Sequence, residues 1–220
     1  MIQMRSLLLA ASLCLLTVPS AQAHPHLFVD VSHTLLFDDQ GRLVGLRARW
    51  SYDEMFSLLM VEDGEYDSDG DGRVTGAELA RFQLWDADWP ADYGGDVEIT
   101  LDGRAVPLQG PDDWAAEWQE GHAVSIHTRR LAIPLDITGA ELEIRPYDPD
   151  FYVDYSIVDA PAYSGRDDCT GDIYEPDPDA VPQELADAIA ELGAETTPGE
   201  AGLPAVGRLY AELERIRCGN

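Results

Sequence analysis

The chain has 220 residues and a formal net charge of −28 at pH 7, because 42 acidic residues outnumber 14 basic ones. All of the basic residues counted there are arginines, since the sequence has no lysine. The phosphates of nucleic acids and of anionic membranes would repel such a protein, so neither is an expected partner, whereas cations are attracted. The length suits one sizeable domain with an appendage.

Residues 1–23 have the pattern of a secretory signal peptide. Arg5 supplies a positive charge, residues 7–18 form an apolar core, and residues 21–23 (Ala-Gln-Ala) form a small-residue cleavage site. The apolar core is too short for a comfortable transmembrane span. We therefore expect cleavage, a mature chain that begins at His24, a periplasmic location and no direct insertion into the membrane.

The first elements of the mature chain are a hairpin and two helices. Two β-rich runs, residues 26–37 and 43–52, surround the turn sequence DDQG and predict a β-hairpin. Helical spacing follows in residues 53–62 and 77–87, with an Asp-rich loop between them. We therefore predict an EF-hand-like helix–loop–helix insertion at residues 53–89, directly after the hairpin.

Strand patterns resume after this insertion. Residues 96–108 predict two strands around an Asp-Gly turn, and residues 114–135 predict two more. Residues 140–158 predict a further pair around a turn at 148–150. Dense strand signals without an alternation of strands and helices favour a mainly β fold, an antiparallel β-sandwich that spans residues 24–165.

Residues 166–220 form a region of different character, an acidic linker followed by a helical tail. We predict a short helix at residues 183–192 and a second at 205–217, whose apolar stripe is expected to dock on the main domain. Cys169 and Cys218 are the cysteines of the mature chain. In an oxidising compartment we expect them to form a disulfide; two free thiols or a soft-metal pair are the alternatives.

Residues 67–78 match every position of an EF-hand calcium loop. Oxygen-bearing groups occur at each ligand position, and Gly72 stands where the loop needs a sharp turn. Oxygen ligands without thiol or imidazole favour calcium over zinc or copper. The predicted calcium ligands are Asp67, Asp69, Asp71, Arg73 through its carbonyl, Thr75 and Glu78.

The expected role of this calcium loop is structural. The sequence contains a single such loop, whereas sensor EF-hands usually occur in pairs. Gly64 and acidic residues precede the loop, where apolar residues would normally pack. Extracellular calcium modules bind weakly, with a Kd of about 10⁻⁴ to 10⁻³ M. We expect calcium to stabilise the fold rather than to act as a switch; the alternative is a solvated acidic loop.

The mature N-terminus is a second candidate metal site. His24 would offer its α-amine and its imidazole to one metal, and His26 lies two residues further on. Pro25 lacks an amide N–H, which excludes the square-planar mode that needs a deprotonated amide there, but imidazole still suits copper, zinc, nickel and cobalt. Alternatively, cleavage merely exposes a histidine and His26 begins a strand. Further ligands would come from this group: Asp30, His33, His122 or His127.

The chain resembles a bacterial family of periplasmic proteins of unknown function, through HPHLFVD, GRLVGLRARWSYDEMFSLL, the Asp-rich loop and YDPDFYVDY. The resemblance extends to about Asp159. Members are labelled the periplasmic component of an uncharacterised ABC-type transport system, and tend to be encoded beside nickel/cobalt-type permeases. The resemblance implies periplasmic residence and transition-metal handling, with a membrane metal transporter or permease as partner. Because the chain lacks the βαβ pattern of two-lobed solute-binding proteins, we expect a metal-handling accessory.

Three functional classes follow from these patterns. The first is a calcium-binding accessory of a membrane metal transport system, with His24 and His26 as principal transition-metal ligands. The second is a calcium-dependent protein-interaction module with no transition-metal role. The third is a copper enzyme, but the chain has no G-x-S-x-G or H-E-x-x-H motif, so we expect no enzymatic activity. The sequence does not indicate whether the protein is a monomer or an oligomer.

Overall fold

The structure, a computed structural model, describes residues 25–90, 93–193 and 196–219. The predicted signal peptide, residues 1–23, and His24 lie outside these residues. The strands within the described part, in chain order, are β1 Leu27–Phe37, β2 Leu43–Tyr52, β3 Val97–Leu101, β4 Arg104–Ala105, β5 Leu108–Gln119, β6 His122–Leu135, β7 Leu142–Pro146, β8 Val153–Ile157, β9 Ala162–Ser164, β10 Cys169–Tyr174 and β11 Leu213–Cys218.

Helices are fewer than strands in the described part of the chain. Two of them lie between β2 and β3, and two lie in the C-terminal region, where a 3₁₀ turn also occurs at Pro178–Ala180. Among the described residues, no helix is long and apolar enough to cross a membrane. The helices are α1 Glu54–Asp63, α2 Gly76–Phe82, α3 Gln183–Ala190 and α4 Gly207–Tyr210.

The strands form two sheets, so the mainly β prediction is confirmed. The first sheet has the order β5-β6-β2-β1-β8, and β9 also pairs with β1. The predicted first hairpin is confirmed, because β1 and β2 pair antiparallel from Val29–Tyr52 to Phe37–Leu43. In contrast, β8 and β9 run parallel to β1, so this sheet is not purely antiparallel. The second sheet has the order β10-β11-β7-β3-β4, and its pairings are antiparallel.

The two sheets share one hydrophobic core. Alternate residues of β1 are buried, because successive side chains of a strand point to opposite faces; Val29 and Val31 are buried whereas Phe28 is exposed. The buried apolar residues of β1 belong to the same cluster as Ile144 of β7 and Ile216 of β11, which lie in the second sheet. Any polar group on these inward faces is therefore held between the sheets.

The strands predicted within residues 140–158 are present, but their predicted pairing with each other is wrong. Strand β7 lies in the second sheet, whereas β8 pairs with β1 in the first. The Asp148 carboxylate accepts hydrogen bonds from the backbone N–H groups of Asp150, Tyr152 and Val153, and Phe151 adopts a φ of 55°. This turn carries the chain from one sheet to the other instead of closing a hairpin.

The helix predicted at residues 205–217 is also wrong. The segment contains only the short α4, and residues 213–218 form β11 between β7 and β10. Its residues fit two periods at once: a stripe at helical spacing, and an alternation that buries Glu214, Ile216 and Cys218. Backbone hydrogen bonds to two neighbouring strands decide in favour of the strand. The C-terminal region therefore contributes two strands to the second sheet as well as α3 and α4.

The predicted disulfide is confirmed. Cys169 of β10 and Cys218 of β11 are bonded to each other and stand opposite in the register of those strands. The bond joins residues 49 positions apart in the sequence. It closes the end of the chain onto the second sheet.

Candidate metal sites

The Asp-rich loop is held between two capped helices. The Asp53 carboxylate accepts a hydrogen bond from the backbone N–H of Phe56 and thereby caps the start of α1. Thr75 and Glu78 form a capping box at the start of α2. Each cap pairs backbone groups that the first turn of a helix leaves without a partner. At the other end of α1, the backbone N–H of Gly64 donates to the carbonyl of Met60 at 3.0 Å, so this bond and the capping box define the two ends of the loop.

Asp67 organises the first half of the loop. Its Oδ1 accepts hydrogen bonds from the backbone N–H groups of Gly70 and Asp71, at 2.8 and 3.1 Å, and its Oδ2 accepts one from Gly72 at 2.8 Å. Gly70 and Gly72 have φ values of 71° and 78°, a conformation that glycine adopts without strain. The turn thus wraps the backbone around the first carboxylate of the loop.

Three aspartates of the loop converge. Ligand oxygens of Asp67, Asp69 and Asp71 all lie within 4.8 Å of one another, and Asp69 and Asp71 are exposed. The nearby charge of Asp71, followed by desolvation, raises the pKa of Asp69 above its usual value. Mutual repulsion of this kind is relieved by a bound cation, and carboxylate oxygens are the ligands that calcium prefers.

The other predicted calcium ligands lie in the same loop but outside this group of oxygens. The Glu78 carboxylate accepts hydrogen bonds from the N–H and Oγ of Ser68, at 2.7 and 2.6 Å, and from the N–H of Thr75 at 3.3 Å. The bonds from Ser68 are the main reason why the pKa of Glu78 lies below its usual value. The backbone N–H of Arg73 donates to Asp71 Oδ1 at 2.8 Å.

The helix–loop–helix segment is anchored on the first sheet. A second cluster of buried apolar residues joins Val61 of α1, Val74 of the loop and Phe82 of α2 to Ala116 and Ala123 of β5 and β6. On α1, the buried Ser57 hydroxyl donates to the carbonyl of Tyr52 at 3.2 Å and accepts from the N–H of Ala123 at 2.9 Å. Order in the loop is thereby coupled to the β5–β6 edge of the sheet.

His26 lies at the start of β1, beside the end of the turn that leads into β8. Its backbone N–H donates to the carbonyl of Tyr152 at 2.9 Å, and the two rings have centroids 4.9 Å apart. Asp30, on the same strand, is exposed. His24, the other predicted transition-metal ligand, lies outside the described residues. The structure therefore locates one of the two predicted histidine ligands, partly buried against Tyr152.

The other three histidines have different surroundings. His33 lies in the interior, and its Nδ1 is 2.7 Å from Glu214 Oε2. His122 Nδ1 is 2.7 Å from the carbonyl oxygen of Tyr52. His127 is fully buried in β6. None of these three belongs to a described group of converging metal-ligand atoms, which consists of the loop aspartates.

The pair of His33 and Glu214 was not foreseen from the sequence. The two side chains are 1% and 0% exposed, and they join β1 of the first sheet to β11 of the second. Their positions are 181 residues apart. The only local sign of the pair is that Glu214 lies between the apolar residues Leu213 and Ile216. If that segment is interpreted as a helix, the inward direction of the Glu214 side chain is not apparent.

His127 occupies an aromatic cage in the same sheet as His33, two strands away, with Ala48 between them in the register. Its ring centroid lies 4.7 Å from Trp50, 4.8 Å from Trp89 and 5.1 Å from Trp114. Neither ring nitrogen has a hydrogen-bond partner among the described residues. Burial, followed by the charges of Arg129 and His33, lowers the pKa of His127 to about 3. The imidazole is therefore neutral at physiological pH.

A partly buried carboxyl group with the opposite shift lies near the turn at 148–150. Asp96 Oδ2 accepts hydrogen bonds from the hydroxyl groups of Tyr93 and Tyr155, both at 2.8 Å. Burial outweighs these bonds and raises the pKa of Asp96 to about 6. Asp96 lines a surface cavity of about 550 Å³ that Tyr93 and Asp148 also border. This group titrates in mildly acidic solution.

These features define a mainly β protein with an acidic helix–loop–helix segment and a polar interior between two sheets. The chain belongs to the family described as "Protein of unknown function (DUF1007)", whose match covers residues 9–218. A comparison with curated proteins finds no match. The family description names no activity, so the function is argued from the sites themselves.

Proposed function

We propose that the protein is a periplasmic, calcium-binding β-sandwich that handles a transition metal as an accessory of a membrane metal transporter or permease. Calcium would bind the EF-hand-like loop of residues 67–78. Copper, zinc, nickel or cobalt would bind at His24 and His26. The observation that carries the proposal is the convergence of three aspartate carboxylates to within 4.8 Å in that loop.

Calcium accounts for the chemistry of the loop. The raised pKa of Asp69 shows that its carboxylate is repelled by Asp71 when no cation is close. Hard divalent cations with oxygen ligands remove such repulsion, and backbone folding around Asp67 already orders the turn. The carbonyl of Arg73, with Thr75 and Glu78, would supply the remaining ligands. Anchoring on β5 and β6 would convert ion binding into stability of the whole fold.

Support for the transition-metal role comes from the N-terminus and the surface charge. Cleavage after residue 23 would place an α-amine and two imidazoles within three residues, and imidazole suits late first-row metals. The net charge of −28 raises the local concentration of cations. The disulfide between Cys169 and Cys218 is consistent with an oxidising compartment outside the cytoplasm. The family resemblance through HPHLFVD and YDPDFYVDY adds the link to metal permeases.

Titration calorimetry with metal-free protein, prepared with His24 as its first residue, tests both sites. We expect one transition-metal ion and one calcium ion per chain, each unaffected by the other. His24→Ala or an added N-terminal Met should abolish transition-metal binding, whereas His122→Gln, a matched histidine control, should leave it unchanged. Metal binding that survives both N-terminal changes would contradict the histidine site. Calcium binding that survives Asp67→Asn combined with Glu78→Gln would contradict the loop site.

A calcium-dependent interaction module is the second candidate, and one observation favours it. Leu58 and Glu62 of α1, together with Asp67 and Ser68 of the loop, line a surface cavity of about 560 Å³. Calcium at Asp67 would then alter a surface available to another protein. In this case chelation of calcium should abolish partner binding, while His24→Ala and His26→Ala should have no effect. The opposite dependence would exclude this candidate.

A further inference from the structure

Helix α1 carries apolar side chains on its outer surface. Met55, Leu58 and Leu59 are 67%, 58% and 49% exposed, and they share one face because residues three and four apart are neighbours on a helix. Phe28 is 50% exposed, and two hydrogen bonds connect its backbone to Asp53, directly before the helix. Its N–H donates to Asp53 Oδ2 at 3.1 Å, and its carbonyl accepts from Asp53 N–H at 3.0 Å. We name Phe28, Met55, Leu58 and Leu59 the α1 patch.

The outer face is not needed to hold the helix in place. The opposite face already docks α1 on the protein through Phe56, Ser57 and Val61. A surface helix normally has one apolar stripe and a polar outer face. A helix that is apolar on both faces is typical of a position between two packed surfaces, and contiguous exposed apolar residues mark interaction sites. The second surface is absent from the described part of this chain.

Charge indicates what would cover the patch. Helix α1 has the acidic residues Glu54, Glu62 and Asp63, all exposed, and no basic residue. A second copy of this chain would place these acids against their own equivalents, and an anionic membrane would be repelled in the same way. A segment with apolar side chains flanked by Lys or Arg would satisfy both the patch and its acidic rim.

We propose that the α1 patch docks a cationic amphipathic segment of another protein. Its apolar side chains would lie on Met55, Leu58 and Leu59, and its basic side chains would pair with Glu62 and Asp63. Through Phe28, the patch borders the start of β1, two residues from His26. The docked partner would therefore lie beside the proposed transition-metal site, but the docking itself does not depend on a metal at His24 or His26.

Calorimetry at low salt with a helical leucine–lysine peptide tests this docking. A leucine–glutamate peptide with the same apolar face provides the charge control. We expect the native protein to bind the lysine peptide but not the glutamate peptide. Met55→Ser with Leu58→Ser should weaken this binding by roughly tenfold or more, because apolar anchors dominate such interfaces.

Two further variants complete the experiment. Ile133→Ser with Val158→Ser removes apolar side chains of similar exposure elsewhere (72% and 51%) and should leave the affinity unchanged. Glu62→Arg with Asp63→Arg should weaken binding of the lysine peptide and strengthen binding of the glutamate peptide. Unfolding of the variant cannot produce such a reversal. Thermal melting of each variant verifies the fold.

Several outcomes would overturn the proposal. Equal affinity for both peptides would contradict a cationic partner. An unchanged affinity in the variant with Met55→Ser and Leu58→Ser would contradict the α1 patch as the docking surface. Self-association of the native protein that this variant abolishes would assign the patch to a second copy. Binding to phosphatidylcholine vesicles that displaces the lysine peptide would assign it to lipid. The proposed metal role is tested separately. His24→Ala should abolish transition-metal binding and leave the affinity for the lysine peptide unchanged.

Discussion

The Asp-rich loop and the inter-sheet pair of His33 and Glu214 are both polar sites, but the chain assembles them in opposite ways. In the loop, three carboxylates come from five consecutive residues, 67–71, and Asp69 and Asp71 are exposed to solvent. In the interior, two residues that are 181 positions apart meet with almost no exposure. The carboxylates of the loop repel one another, whereas the interior pair is hydrogen-bonded.

The two sites are therefore sensitive to different changes. Exposed charges are screened by water and salt, so the loop tolerates substitution and responds mainly to cations. A buried hydrogen-bonded pair has no water to replace a lost partner, so it responds mainly to mutation. The loop should therefore control the dependence on ions, and the interior pair should control the unfolding free energy.

Glu214→Ala gives the largest expected effect. The substitution leaves the His33 imidazole buried without its partner, and breaking a buried pair on one side costs about 3–5 kcal/mol. Urea unfolding followed by tryptophan fluorescence measures this loss in the unfolding free energy.

The double variant His33→Leu with Glu214→Leu tests whether the unpaired histidine causes this loss. It removes both polar groups and leaves no unpaired one, so we expect it to cost clearly less than Glu214→Ala alone. If the double variant is as unstable as the single one, the cost arises from packing and not from the unpaired histidine.

Much of the fold could be predicted because its signals are local. The hairpin of β1 and β2 has its turn between its strands, and the Asp-rich loop has all its predicted ligand positions within residues 67–78. The disulfide followed from the presence of two cysteines in a chain that the sequence predicts to be exported. In each case a few neighbouring residues, or a count of one residue type, contain the whole signal.

The remainder depends on distant partners. Strand β8 pairs with β1 and not with its neighbour β7, and β11 becomes a strand because β7 and β10 bond to both its edges. The direction in which Glu214 points follows from that strand. No property of residues 205–217 alone distinguishes the two structures, so the interior site could not be predicted from the sequence.

Loss of the disulfide is expected to have the next largest effect. Cys169→Ser with Cys218→Ser opens a cross-link between residues 49 positions apart, and removing such a link costs about 2–4 kcal/mol in the unfolding free energy. Urea unfolding of the variant, compared with the native protein before and after reduction, measures it. Reduction should destabilise the native protein to the level of the variant and leave the variant unchanged. A native protein that is insensitive to reduction would contradict this prediction.

The interior should also impose a dependence on pH. The pKa of His127 is about 3 in the folded protein and about 6.5 when unfolded, so the unfolded state binds more protons between these values. Stability should therefore fall as the pH drops below about 6.5, by about 2 kcal/mol at pH 5. His127→Phe removes this loss, and urea unfolding at pH 5 and pH 7 measures it.

Asp96 provides a control of opposite sign. Its pKa is raised to about 6, so the folded state binds more protons between about pH 4 and 6, and stability falls as the pH rises through that window. Asp96→Asn should therefore steepen the net loss of stability on acidification, whereas His127→Phe should reduce it. Equal slopes in both variants would assign the pH dependence to other groups.

The smallest effect is expected at the Asp-rich loop, where the sign of the change depends on whether calcium is present. With a Kd of about 10⁻⁴ M, about 1 mM calcium should raise the unfolding free energy by about 1.4 kcal/mol. Because the charge of Asp71 raises the pKa of Asp69, Asp71→Asn should stabilise the calcium-free protein and reduce the gain from calcium. Thermal melting with calcium or chelator measures both changes, and Asp39→Asn, an exposed acid in the β1–β2 turn, is the control. An Asp71→Asn variant that loses stability without calcium would show that the loop is held by its own hydrogen bonds and that repulsion between its carboxylates is minor.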